Sequence, residues 1–264
     1  DYVIANDIHS KSDNALSRLA LLPSDWNPDL LVVIQSGDVV MKQVGRVGCP
    51  TVYISVDTWH DPREYQHAYQ YDFVFVAQKE MAKYMRKMGC CRVFWLPLAC
   101  DPDHHYAVTG VDVALDAAFV GSTHFYVNRQ RRARLERVNE NCVLGTFYGL
   151  GPVEMAEVYG RARCIFNSSI SKDVNMRVYE ALSTGRPLLT NRDASANGLF
   201  EQFEEGVHLF AYDDGDLEAQ LRALVADQER AAAVGRAGQA LVHAQHTYGH
   251  RVTALMAVLE AHGL

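Results

Sequence analysis

The stretch CIFNSSISKDVNMRVYEALSTGRPLLTN, Cys164–Asn191, decides the fold. It opens on a short apolar run and crosses polar residues into a segment with apolar residues at helical spacing. It then breaks at Ser183-Thr184-Gly185 and ends in a second apolar run. Runs that are continuously apolar rather than alternating suit strands covered on both faces. Strand, helix and strand in that order make the repeating unit of a parallel sheet. Asp173 or Asn175 can cap the helix. Arg177 and Glu180 then fall three apart on one face of its start.

The same rhythm runs outward in both directions. Towards the amino terminus, strands are expected at YVIAN (2–6), DLLVVIQSGD (29–38), TVYISVD (51–57), YDFVFVAQ (71–78) and RVFWLPL (92–98). Helices fit between them over Asp13–Leu21, Pro62–Tyr69 and Lys79–Met88, the last with Gly89 as its stop. The stretch LACDPDHHYAVTGVDVALD (98–116) has Pro, Gly and Asp clusters and little periodicity, and reads as a linker, with His104 and His105 on its surface. Beyond it come the strands LDAAFVGS (115–122), CVLGTFYGLG (142–151) and VHLFAY (207–212), flanking the opening unit. Helices are expected around 128–137, Val153–Gly160, Asn197–Phe203, Gly215–Asp227, Gln228–Gln245 and Tyr248–His262. The expected class is α/β with two doubly wound, Rossmann-like domains, residues 1–105 and 106–264, facing across a cleft.

Composition narrows the partners. The 264 residues carry a net charge of −7, which argues against nucleic acid. No apolar run approaches the ~20 residues of a membrane span, and residues 1–14 lack the layout of a signal peptide. Six cysteines form no C-x-x-C and read as buried free thiols of a reducing compartment, so a cytoplasmic location is expected. His243, His246 and His250 fall at i, i+3 and i+7 without a carboxylate to complete a site, and no metal is expected. The basic run NRQRRARLER (128–137) reads as a solvated helix face.

Two places suit an anion. At FVGS, an apolar strand ends at Val120, and Gly121-Ser122 begins a turn where backbone can approach a ligand closely. An ordinary strand-to-helix turn fits those residues equally well. At the start of the 176–183 segment, helix N–H groups favour an anion and Arg177 adds a fork for phosphate oxygens. Glu180 can accept two hydroxyl hydrogens, as from a ribose diol. A plain intrahelical Arg–Glu pair worth a few tenths of a kcal/mol remains the alternative.

The pattern D-x-N-x-R-x-x-E-A-x-x-x-G-x-x-L-L-T-N at 173–191, with FVGS upstream and HTYGHRV (246–252) downstream, resembles the CgeB-like glycosyltransferases. The likeness extends back through YDFVFVAQKEMAKYMRKMGCCRVFWLPLACDPDHH (71–105). It implies the two-domain GT-B fold of glycosyl transferases group 1, with a hexosyltransferase-type enzyme moving a sugar from a UDP- or GDP-linked donor. The nucleotide-sugar would be a co-substrate, no metal or other cofactor is implied, and the acceptor (saccharide, lipid or protein) stays open. Residues 1–105 would then be a short acceptor-side domain and 106–264 the donor-binding domain. The resemblance places Gly121, Ser122, Asn175 and Arg177 at the diphosphate and Glu180 at the ribose. The loop 146–151, with Tyr148 and Gly149, would pass near the base. Tyr248 and Arg251 would lie in a last helix that crosses back to brace the first domain. One departure is Lys172, which stands where many relatives carry a first glutamate.

A base for the acceptor would come from the first domain. Asp57 and His60, in SVDTWHDP (55–62), follow a strand and are the catalytic candidates; Asp61, Asp7 and His9 are placed similarly. A helix cap for Asp57 and a turn histidine for His60 are the structural alternatives. Two further functions stay open: an epimerase of the same fold, or a non-catalytic nucleotide- or glycan-binding protein.

Overall fold

The computed structural model describes residues 14–20, 22–25, 27–35, 41–57, 68–124 and 129–264. The expected strand at 2–6 and most of the expected helix at 62–69 lie outside them, as do Asp7, His9, His60 and Asp61. The chain divides into two compact units, Asp1–Pro97 and Leu98–Leu264, so the boundary falls at Pro97 rather than at 105.

The amino-terminal unit holds four parallel strands in sequential order: β1 (Leu31–Gln35), β2 (Thr51–Ser55), β3 (Phe73–Val76) and β4 (Val93–Trp95). Helices α1 (Ala15–Leu19) and α2 (Lys79–Lys87) belong to it. Asn14 caps α1 through its side chain, which accepts the N–H groups of Leu16 and Ser17. Asp72 fixes the entry to β2, accepting from both the N–H and the hydroxyl of Thr51 at 2.9 Å. Every residue of β3 is buried, as its unbroken FVFV run requires.

The carboxy-terminal unit is built on five parallel strands in the order β6-β5-β7-β8-β9. They are β5 (Leu115–Val120), β6 (Leu144–Phe147), β7 (Ala162–Phe166), β8 (Leu188–Asn191) and β9 (Phe210–Tyr212). Between and after them run α3 (Arg129–Asn141), α4 (Pro152–Gly160), α5 (Met176–Ser183), α6 (Leu199–Gln202), α7 (Leu217–Ala226), α8 (Gln228–Gln245) and α9 (Tyr248–Glu260). Both faces of the sheet are packed. Ala118, Val120 and Ile165 meet Tyr159, Val178 and Leu182 on one side. Ala117, Phe119 and Phe166 meet Leu135, Leu217 and Val234 on the other. That two-sided cover is why the strand sequences are continuously apolar.

Close packing fixes α8 against the turn after α5. A methyl group built on Gly235 would stand 2.5 Å from the Gly185 carbonyl oxygen, nearer than any side chain tolerates.

Residues 98–105 are not a free linker. Cys100 N–H donates to His246 O, Tyr248 N–H donates to Cys100 O, and Arg251 donates twice to Leu98 O. The segment is thus tied to the α8–α9 junction. His104 is exposed as expected, but His105 is buried, with 8% exposure.

Helix α3 also departs from its reading as a solvated face. Arg131 and Arg134 are buried among Leu135 and Val138. Arg131 donates to Ser122 O and Ser168 O, and so ties together the loops that follow β5 and β7. Arg134 bonds to Asp214, Asp193 and the Ser168 hydroxyl. The sequence pattern missed this because arginine at a helix position signals solvent unless carboxylates or carbonyls wait for it, and those lie far along the chain.

Candidate functional site

Strand β5 sits between β6 and β7, so the chain leaves it in opposite directions on its two sides. In open parallel sheets such a switch point opens a crevice at the carboxyl ends of the strands. A pocket of about 320 Å³ lies there. Its wall takes Gly121 and Ser122 from the end of β5 and Tyr148 and Gly149 from the loop after β6. Met155 comes from α4, Arg177 and Glu180 from α5, and His105 from the segment before β5.

Six of the residues expected at a nucleotide therefore meet in one wall: Gly121, Ser122, Tyr148, Gly149, Arg177 and Glu180. Gly149 has φ +72°, a left-handed backbone that glycine adopts without strain, and it turns the 147–151 loop into the wall. Tyr148 is 76% exposed beside it. Gly121 N–H extends the ladder to Phe147 O. The Ser122 hydroxyl accepts from His124 N–H at 3.3 Å.

Asn175 is not in the wall. It is the N-cap of α5, but its amide pairs with Asn167 in both directions, at 3.1 and 3.2 Å, and makes no capping bond to the first turn. Asp173, the other candidate cap, accepts from Ser171 N–H instead. No cap side chain therefore covers the amino end of α5.

Arg177 and Glu180 form the ion pair that their spacing allows, with Nη1 3.0 Å from Oε2. Nη1 also donates to the Tyr159 hydroxyl at 3.1 Å and contacts Met155 Sδ at 2.9 Å. Burial lowers the Arg177 pKa, yet Tyr159 and Glu180 more than offset it, so the net shift is upward and the guanidinium stays charged. Burial pushes the Tyr159 hydroxyl up to about 12, so it remains protonated. Glu180 Oε2 is closed off from solvent and accepts no hydrogen bond. Only Oε1 is left for a ligand, one oxygen rather than the two that the sequence suggested.

The sequence reading missed His105. Its Nε2 lies 3.6 Å from Glu180 Oε1, and Asp101 N–H donates to its Nδ1 at 3.0 Å. Burial pulls the imidazole pKa below its ordinary value, although Glu180 and Asp101 pull the other way. The ring is therefore neutral with its hydrogen on Nε2. The Asp101–His105 spacing inside a Pro-containing turn was the available signal, but turn residues alone do not reveal which side faces a pocket.

Asp57 follows β2 in the amino-terminal unit. The three spaced histidines have separate structural partners: His243 with Ser183, His246 with Arg251, and His250 with Thr247. Among the described residues, no three His, Cys, Asp or Glu side chains cluster as metal ligands. No helix among them is long and apolar enough to cross a membrane.

With this geometry in place, known proteins give the family. The family profile described as glycosyl transferase-like matches residues 120–257, more than half of the chain. The chain belongs to the glycosyl transferase-like family. No curated protein matches the sequence. Among solved structures, HepE from Anabaena with UDP-glucose aligns at a TM-score of 0.62 and 13% identity, over 88% of this chain and 78% of that one. Sucrose-phosphate synthase from Thermosynechococcus elongatus aligns at 0.62 and 11%, over 88% and 73%. The pneumococcal O-GlcNAc transferase GtfA with UDP and GlcNAc aligns at 0.56 and 11%, over 88% and 57%. At these identities the likeness gives the fold: GT-B, with two Rossmann-like units, as the sequence pattern implied.

Proposed function

We infer that this glycosyl transferase-like protein moves a sugar from a nucleoside-diphosphate donor to an acceptor. Its pattern at 173–191 resembles that of the CgeB-like group, which supports this reading. One observation carries the reading. A pocket at the strand switch point joins Gly121, Ser122, Arg177 and Glu180, next to a helix start that no side chain caps. That arrangement suits a diphosphate beside a hydroxyl-bearing ribose. The UDP-glucose of HepE, and the UDP and GlcNAc of GtfA, favour a UDP-linked hexose donor.

In the transfer, the glycosidic C–O bond to the diphosphate breaks and negative charge builds on the leaving phosphate. The amino end of α5 and the Arg177 guanidinium meet that charge without a metal ion. Arg177 is prepared for this: Nη1 is fixed by Tyr159, while Nε and Nη2 make no hydrogen bond to the described residues. Tyr148 offers an exposed ring on which the base can stack. The acceptor and its base are assigned to the amino-terminal unit, with Asp57 and His60 as candidates.

A thermal-shift series with UDP, GDP, ADP, CMP and dTDP tests the reading. A nucleotide at a hundred times its Kd stabilises by about 2.7 kcal/mol, a shift of roughly 5–10 °C for a chain of this size. Arg177→Ala should abolish the shift. A flat response to all five nucleotides would overturn the assignment. Donor turnover that occurs without any acceptor would favour the epimerase.

A further inference from the structure

We propose that His105 reads one hydroxyl of the bound nucleoside together with Glu180, and thereby makes the pocket select ribo- over deoxyribonucleotides. The proposal rests on the nucleotide reading given above and assigns a specificity-determining residue to it.

The residue is held at three points, one on its ring and two on its backbone. Asp101 N–H donates to Nδ1 at 3.0 Å, His105 N–H donates to Asp101 O at 2.7 Å, and the Ser183 hydroxyl donates to His105 O at 2.5 Å. With Nδ1 accepting, the hydrogen of the neutral ring is on Nε2. That N–H faces Glu180 Oε1 across 3.6 Å, too far for a direct hydrogen bond. Both side chains line the pocket. A hydroxyl seated beside the gap can accept from Nε2–H through its oxygen and donate its own hydrogen to Oε1.

Oε2 cannot serve in place of Oε1, because it is shut off against Arg177. The pocket thus presents one donor and one acceptor, a pair that matches a single hydroxyl and neither a carbonyl nor a methylene. A deoxy analogue would leave a buried N–H and a buried carboxylate oxygen without partners. Such a loss discriminates far more strongly than a missing apolar contact.

The test is calorimetric binding of UDP and GDP, each with its 2′-deoxy and 3′-deoxy forms, to the full chain and to two variants. In the wild type, one deoxy form should bind about 10–100-fold more weakly than its parent. In His105→Phe that ratio should collapse to a few-fold. His105→Gln, whose amide N–H can stand near the position of Nε2, should restore part of it. Should His105→Phe fail to fold, nitrogen NMR of the wild type keeps the question open to test. The His105 Nε2 resonance should move with the ribonucleotide and not with the discriminated deoxy form. Equal deoxy penalties in wild type and His105→Phe, or an Nε2 signal indifferent to the hydroxyl, would overturn the proposal and leave the nucleotide reading standing. No binding of either ribonucleotide to the wild type would sink both.

Discussion

Two helices of the carboxy-terminal unit carry buried or half-buried arginines, and they use them in opposite ways. In α3, Arg131 is committed to two loop carbonyls and Arg134 to two carboxylates and a hydroxyl. In α5, Arg177 commits one nitrogen to Tyr159 and Glu180 and lines a pocket. The pKa values follow the partners. Burial lowers Arg131 to about 10, since carbonyls return little of the lost hydration. Burial also opposes the charge on Arg134, but Asp214, Tyr212 and Asp193 outweigh it and the net shift is upward. A satisfied buried arginine is a strut, whereas one with unused donors beside a cavity is a binding group.

Substitutions can break that distinction. Arg177→Ala should cost the largest effect, about 10²–10³-fold in turnover. Its folding cost should be about 1–2 kcal/mol, from the partners left behind. Steady-state kinetics beside urea denaturation would measure both, and comparable losses in the two would erase the difference between the helices. Arg134→Leu should do the reverse. Asp214 and Asp193 are partly exposed, so the loss of stability should sit near the low end for a broken buried pair, about 3 kcal/mol. Nucleotide affinity of the folded protein should change less than threefold.

A third saturated arginine refines the rule at smaller scale. Arg251, in α9, donates to Leu98 O, Gln245 O and His246 Nδ1. Burial, together with the Arg251 and His250 charges, depresses the His246 pKa from 6.5 to about 4. The folded state therefore resists a proton that the unfolded chain accepts. This contribution is fully present above pH 6.5 and is lost as pH falls towards 4. Between pH 7 and 5.5 it should remove about 1 kcal/mol, read as a falling urea midpoint. His246→Gln should flatten that slope.

Much of the fold was written locally. Short apolar runs placed the cores of all nine described strands, from VVI in β1 to FAY in β9, because each strand carries its own signal. The α8 bounds, Gln228–Gln245, were expected to the residue. Arg177 and Glu180 were legible because their pairing is a matter of helical spacing. His105, Arg131 and Arg134 were not legible, since their partners stand tens of residues away and only the folded chain brings them close. Asn175 shows the converse error: a good capping residue was drawn off by Asn167, a competing amide on the β7 loop.

The tie between Cys100 and the α8–α9 junction joins residues 146 apart in sequence. Closing so long a loop is slow, and a ribosome must deliver residues 246–251 before the segment bearing His105 can settle. A nascent chain would then own most of the pocket wall well before it could discriminate between ligands, and selectivity would be the last property the unit acquires during synthesis.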